Sequence, residues 1–295
     1  MSHARANLLL LLAGAIWGMG FVAQSSAMDN IGPWFFIGLR FAVATLTMLP
    51  MALRENARAG SLPSRQSLMT FGMIGLTLFF GIAAQQIGLI TTSVTNSGFL
   101  TALYLIFVPI LGIALFRQMP HPVIWPAALF ALFGIFLLSG GRLDALASGD
   151  WLTILCAVFN ALQILLIGRY ANSSGLPVTL AVTQFAVTAI LGFAAAISFE
   201  RIDLTAAILA APEILFAGVI SGGIAFTLQA IGQRHTTASQ AAIVLSSEAL
   251  FAALFGALIM QDRLPPSAWL GCALIFAAIL ATELVPAWMA GRRAA

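Results

Sequence analysis

Lysine is absent from this chain of 295 residues, and only 8% of its residues are charged. A soluble domain needs roughly 25% charged residues to cover its surface, so water is not its main solvent. All 13 basic residues are arginines, scattered between apolar runs and never gathered into the patch a nucleic-acid partner requires. Cysteine is scarce. Cys156 and Cys272 both lie inside apolar runs, where a thiol acts as a small hydrophobe, so no disulfide is expected. There is no phosphate-binding Gly/Lys loop, no His-Glu-x-x-His and no Cys/His metal spacing; His3, His121 and His235 fall at or beyond the ends of apolar runs. The reading is of a non-enzyme with no cofactor and no metal, and any energy it uses comes from gradients.

What the chain has in abundance is apolar sequence, 61% of it. The runs are about 20 residues long, enough to cross roughly 30 Å of hydrocarbon as helices. Ten spans are expected, at approximately 6–26, 33–53, 68–89, 95–116, 121–140, 151–170, 178–198, 213–232, 238–259 and 266–285. The first has no small-residue cleavage site followed by a polar domain and reads as a retained span. With the N-terminus inside, Arg5, Arg54, Arg58, Arg65, Arg117, Arg169, Arg234, Arg292 and Arg293 are cytoplasmic, against Arg142, Arg201 and Arg263 outside. That positive-inside bias predicts a multi-pass membrane protein with both termini in the cytoplasm.

The two halves repeat each other. Gln85 falls on Gln229, Ile87 on Ile231, Gly88 on Gly232, Phe107 on Phe251 and Gly112 on Gly256, a constant offset of 144. The same offset carries RFAVAT from Arg40 onto QFAVTA from Gln184, and Pro122/Trp125 onto Pro266/Trp269. Five spans per copy is an odd number, so the second copy enters the membrane upside down. The expected fold is an all-α integral membrane protein, ten transmembrane helices as two inverted five-helix repeats, 1–140 and 151–285, with a cytoplasmic tail at 286–295. Inverted repeats place a site near the midplane between the halves, and exchanging the two halves' conformations gives alternating access.

Glu248 is the carboxylate deep within a span, in SSEALF, and an ionised acid there must be paired, hydrated or protonated. It reads as a cavity or coupling residue, or else as a hydrogen-bonded acid locking two helices. Ser97, Thr101 and Tyr104 share a helix face at i, i+4, i+7, and Tyr104 is the repeat partner of Glu248. Asn160 and Gln163 lie mid-span. Trp17 and Phe21, four apart, have Phe159 and Gln163 as counterparts at an offset of 142. Together these nine residues predict a cavity that is aromatic and polar but almost uncharged; the competing reading is polar glue between helices. Gln85 and Gln229, near opposite ends of their spans, are gate candidates or loop hinges. Arg40, about 10 Å into span two by helix rise, is expected to snorkel outward or bond helix-end carbonyls, too far from the midplane to pair easily with a ligand there.

The chain resembles the drug/metabolite transporter superfamily in its ten-span EamA-type branch. The resemblance rests on AGAIWGMGFVAQ in span one, PWFFIGLRF in span two, the Gly88–Gly112 stretch with its second-half copy, and the small-residue span nine ending in MQDRLPP. It covers essentially the whole chain, with Ala249 standing where relatives commonly place proline. Within the branch, the exporters of aromatic amino acids look most similar. The resemblance implies a central cavity lined by helices of both halves, with the fifth helix of each half at the periphery. The reading is therefore a secondary, non-ATP exporter of amino acids, aromatic or apolar ones, or similar small metabolites. The alternative is a proton-coupled exporter of lipophilic drugs or cations using Glu248; from another class, a non-transporting subunit or lipid-organising protein is the competitor. Its partners are a small-molecule substrate and the lipid bilayer, with no nucleic acid; the oligomeric state is open and includes a monomer.

Overall fold

The computed structural model describes residues 1–60, 62–92, 94–138, 147–259 and 266–294. The expected outer-loop charges Arg142, Asp144, Asp262 and Arg263, the repeat boundary at 140 and most of MQDRLPP lie outside the described residues. All regular structure among those described is helical: α1 His3–Ala27, α2 Pro33–Ala59, α3 Arg65–Gly88, α4 Val94–Thr101, α5 Tyr104–Phe116, α6 Ile124–Leu138, α7 Ser148–Ser174, α8 Pro177–Phe199, α9 Leu204–Leu209, α10 Ala211–Leu215, a π-helical segment Phe216–Ala225, α11 Phe226–Gln233, α12 Ala238–Leu245, α13 Ser247–Ile259 and α14 Pro266–Ala294. Eight helices among the described residues are long and apolar enough to cross a membrane, and two shorter apolar ones cover 124–137 and 238–251. The last helix runs through the expected tail boundary at 286 to Ala294.

Spans four and nine are each interrupted. Each breaks at its centre, between α4 and α5 at Ala102–Leu103 and between α12 and α13 at Ser246. At the first break, the N–H groups of Leu105 and Ile106 reach carbonyls three residues back, at Ala102 and Leu103. At the second, the Ser246 hydroxyl donates to the Ile243 carbonyl at 2.7 Å, and the Ala249 N–H turns back to Ser246. Tighter i→i+3 bonds and a serine competing for its own helix's carbonyl both interrupt the α ladder. The two breaks sit immediately before Tyr104 and Glu248.

Helices α2 and α8 run antiparallel, tied at both ends by carboxylates. Glu200, just beyond α8, accepts from the N–H groups of Trp34 and Phe35 at 2.9 Å each, in the first turn of α2. Glu55, near the end of α2, accepts from the N–H groups of Val178 at 3.1 Å and Thr179 at 2.7 Å, in the first turn of α8. Each acid thus meets orphan donors at the positive end of the other helix's dipole. Between the ends, Gly38 and Gly192 let the backbones touch: a Cβ on Gly192 would lie 2.7 Å from the Gly38 nitrogen. Close approach through small residues is how helices associate in lipid, where no hydrophobic force acts between them.

Two large buried clusters flank the centre. One joins α1, α5, α6, α7, α12 and α14, including Leu10, Leu105, Ile124 and Ile275. The other joins α2, α3, α7, α8 and α11, including Phe41, Phe71, Phe185 and Phe226. Trp17 packs against both. Helix α14 lies against α6. Outward, Phe130, Phe133, Trp269, Leu270, Phe276 and Leu284 are exposed, as lipid-facing residues are.

Candidate functional site

Between the two clusters lies a cavity of about 60 Å³. Its wall comes from α1 (Trp17, Phe21, Gln24), α2 (Arg40), α3 (Ile82, Gln85), α4 and α5 (Thr101, Tyr104), α7 (Asn160, Gln163, Ile164), α11 (Phe226, Gln229) and α12 and α13 (Leu245, Glu248). Seven of the nine residues expected in a cavity are brought together here, with both gate candidates. Ser97 is fully buried but does not line the cavity, and its hydroxyl meets no partner among the described residues. Phe159 turns aside to stack on Phe80, with ring centroids 5.4 Å apart.

Glu248 is 7% exposed and accepts a hydrogen bond from the Tyr104 hydroxyl at 3.3 Å. Gln163 and Gln229 of the same wall belong to an amide chain. The Gln229 amide donates to Gln163 Oε1 at 3.2 Å, and the Gln163 amide donates to Gln184 Oε1 at 3.2 Å. The Gln85 amide donates to the Thr101 hydroxyl at 3.1 Å, and Asn160 to Cys156 Sγ at 3.3 Å. Buried polar side chains with their bonds made are held in single orientations, which prepares a wall for a ligand. Aromatic surface comes from Trp17, Phe21 and Phe226; the rings of Trp17 and Phe226 lie 4.6 Å apart.

Of the two courses expected for Arg40, the structure shows the bond to a helix carbonyl, but made at the cavity. The side chain does not snorkel outward: it is 2% exposed and lines the cavity. Its Nε donates to the Ala217 carbonyl at 3.2 Å, one terminal nitrogen to Gln24 Oε1 at 2.8 Å and the other to Ser221 Oγ at 3.2 Å. The backbone of the π segment makes this reach possible. Its wide turns, with glycines at 218, 222 and 223, let side chains approach its carbonyls, and Trp17 Nε1 likewise donates to Ser221 O at 3.0 Å. Nothing bulkier than glycine fits at 218, where a Cβ would lie 2.8 Å from the Arg40 carbonyl and 2.7 Å from Val43.

Sequence reasoning missed Gln24, Ile82, Ile164, Phe226 and Leu245 as well as the place of Arg40. A signal for four of them existed. Gln24 continues the Trp17–Phe21 face at i+7, and the offset of 144 pairs Ile82 with Phe226 and Thr101 with Leu245, as it pairs Gln85 with Gln229 and Tyr104 with Glu248. The lining is largely made of repeat-related pairs.

A larger hollow, about 530 Å³, opens beside Gln118, His121, Arg169 and the Thr236–Gln240 turn. It is separate from the polar centre, but its wall is adjacent: Leu165 faces the hollow while Ile164 faces the central cavity.

Comparison with known proteins places these features. Residues 4–140 match the EamA-like transporter family, and residues 147–283 match it again. An uncharacterised transporter of Archaeoglobus fulgidus is 29% identical over 280 residues, covering 95% of this chain and 86% of that protein. Another protein's crystal structure superposes with a TM-score of 0.78 at 18% identity, over 96% of this chain and 97% of that one. At that identity the likeness is one of fold alone.

Proposed function

The chain belongs to the EamA-like transporter family, multi-pass membrane proteins that move small molecules, and we propose that it exports amino acids with aromatic or apolar side chains by alternating access. The observation that carries this reading is the central cavity, lined by aromatic rings and by hydrogen-bonding side chains together, with Glu248 as its acid. Glu248 and the Tyr104 hydroxyl receive the ammonium group, Trp17, Phe21 and Phe226 receive the side chain, and Gln85 and Gln229 act as gates. A cavity of about 60 Å³ must widen to admit such a cargo; the hollow of about 530 Å³ behind Ile164 and Leu165 serves as the cytoplasmic vestibule from which it enters.

The architecture proposed is ten spans in two inverted five-helix repeats, 1–140 and 151–285, in a bacterial inner membrane with both termini cytoplasmic. Several observations support it. The two short apolar helices, added to the eight long ones, complete that number. Glu55 and Glu200 cap each other's helix at opposite ends of the α2–α8 pair, as a two-fold axis in the membrane plane requires. Tyr104 and Glu248, 144 residues apart, bond to each other directly, as suits repeat-related residues lying close to a two-fold axis.

A second reading keeps one observation in its favour: the buried acid in an aromatic cavity also suits a proton-coupled exporter of lipophilic cations, with Glu248 exchanging protons for drug. Flux into proteoliposomes of phenylalanine, methionine and a cationic dye, with and without a pH gradient, tests both. Phenylalanine flux competed by methionine is the expected result. Dye flux alone, strictly dependent on the gradient, establishes the second reading in place of the first.

A further inference from the structure

A buried guanidinium with only neutral partners calls for an anion. Arg40 meets Gln24, Ser221, the Ala217 carbonyl and the face of the Phe41 ring, whose centroid lies 5.1 Å from the guanidinium carbon, and among the described residues no carboxylate reaches it. Burying an uncompensated cation within a membrane bundle is costly, and side chains of this kind face interior cavities where a counter-charge arrives from elsewhere. Its three bonds use one N–H on each guanidinium nitrogen, which leaves one N–H on each of the two terminal nitrogens. Both are charge-assisted donors that a carboxylate can accept from. The neutral partners orient the head without cancelling its charge: the π segment supplies two of them and α1 the third.

Resting on the amino-acid reading above, we infer that Arg40 is the carboxylate-binding residue of the central cavity, with Gln24 and Ser221 as its positioning residues. The cargo is then a zwitterion: its carboxylate on Arg40, its ammonium at Glu248, its side chain among Trp17, Phe21 and Phe226. The second half carries Gln184 at the position equivalent to Arg40, bonded to Gln163. Only one half therefore offers a cation, and a zwitterion binds in one orientation across the repeat.

The test uses the full chain in detergent and in proteoliposomes with three probes of one shape: phenylalanine, phenethylamine, which lacks the carboxylate, and 3-phenylpropionate, which lacks the ammonium. For the unaltered protein, phenylalanine is expected to bind at least about tenfold more tightly than phenethylamine; equal or tighter binding of phenethylamine overturns the inference without any variant being made. Arg40→Gln places in the first half the residue the second half already buries. It is expected to weaken phenylalanine and 3-phenylpropionate at least about tenfold and leave phenethylamine within about twofold. Arg40→Lys is expected to recover part of the loss, because it returns the charge without the fork. If Arg40→Gln weakens all three probes equally, Arg40 is structural and the inference is overturned. If the protein carries 3-phenylpropionate but not phenylalanine, and Arg40→Gln abolishes that flux, Arg40 stands as the anion site while the amino-acid reading fails. If none of the three probes binds, both fall.

Discussion

Glu248 concentrates the chemistry of the cavity at a single atom pair. Its side-chain partner among the described residues is the Tyr104 hydroxyl at 3.3 Å, so Glu248→Gln keeps the shape and removes the charge on which an ammonium depends. In proteoliposomes, phenylalanine flux is expected to fall at least about tenfold while 3-phenylpropionate binding is unchanged; undiminished phenylalanine flux makes Glu248 a structural acid. Gln163 plays a different part, joining Gln184 and Gln229 across three helices. Gln163→Leu leaves two buried amides short of partners, which costs about 1–3 kcal/mol each when no water replaces them. A clear drop in thermal midpoint is expected, and a midpoint unchanged within about 1 °C shows that the amide chain contributes nothing to stability.

At the scale of elements, the α2–α8 pair is held by its glycines in the middle and by its carboxylates at the ends. Glu55→Gln and Glu200→Gln each remove a charge-assisted bond set from a helix N-terminus, a loss of about 1–2 kcal/mol. Because the two sites lie at opposite ends of the pair, their effects are expected to add in the double variant. Unfolding of the single and double variants in detergent measures this, and marked non-additivity excludes two independent caps. Gly192→Leu is expected to be more severe than either, since its side chain would drive into the backbone of Gly38, 2.7 Å from the first added atom. Failure of this variant to yield monodisperse protein is the outcome anticipated; normal yield and stability shows that the two helices separate without cost.

For the whole molecule, topology is the open quantity that a simple measurement decides. With Cys156 and Cys272 replaced by alanine, Ser174→Cys lies at the end of α7 and Leu204→Cys at the start of α9. An impermeant maleimide on intact cells is expected to label the second and spare the first until the membrane is opened. The reverse pattern inverts the proposed orientation.

Composition, run length and the offset of 144 determined from sequence alone that this chain is a helical membrane protein built of two related stretches, because burial in lipid and helical rise are local constraints that each run must meet by itself. Most of the cavity wall was legible for the same reason: polar residues spaced at i, i+4, i+7 in an apolar span have to turn inward. Only the tertiary structure decided where Arg40 points, since that depends on whether a neighbouring helix offers acceptors at its depth. Here the neighbour is the π segment, whose widened turns follow from glycines pressed against α2, and no pattern within span two announces it. The same holds for Phe159, whose spacing matched its partner Trp17 but whose ring found Phe80 instead. Periodicity says which face of a helix is buried; which buried faces meet around one space is settled by packing between helices.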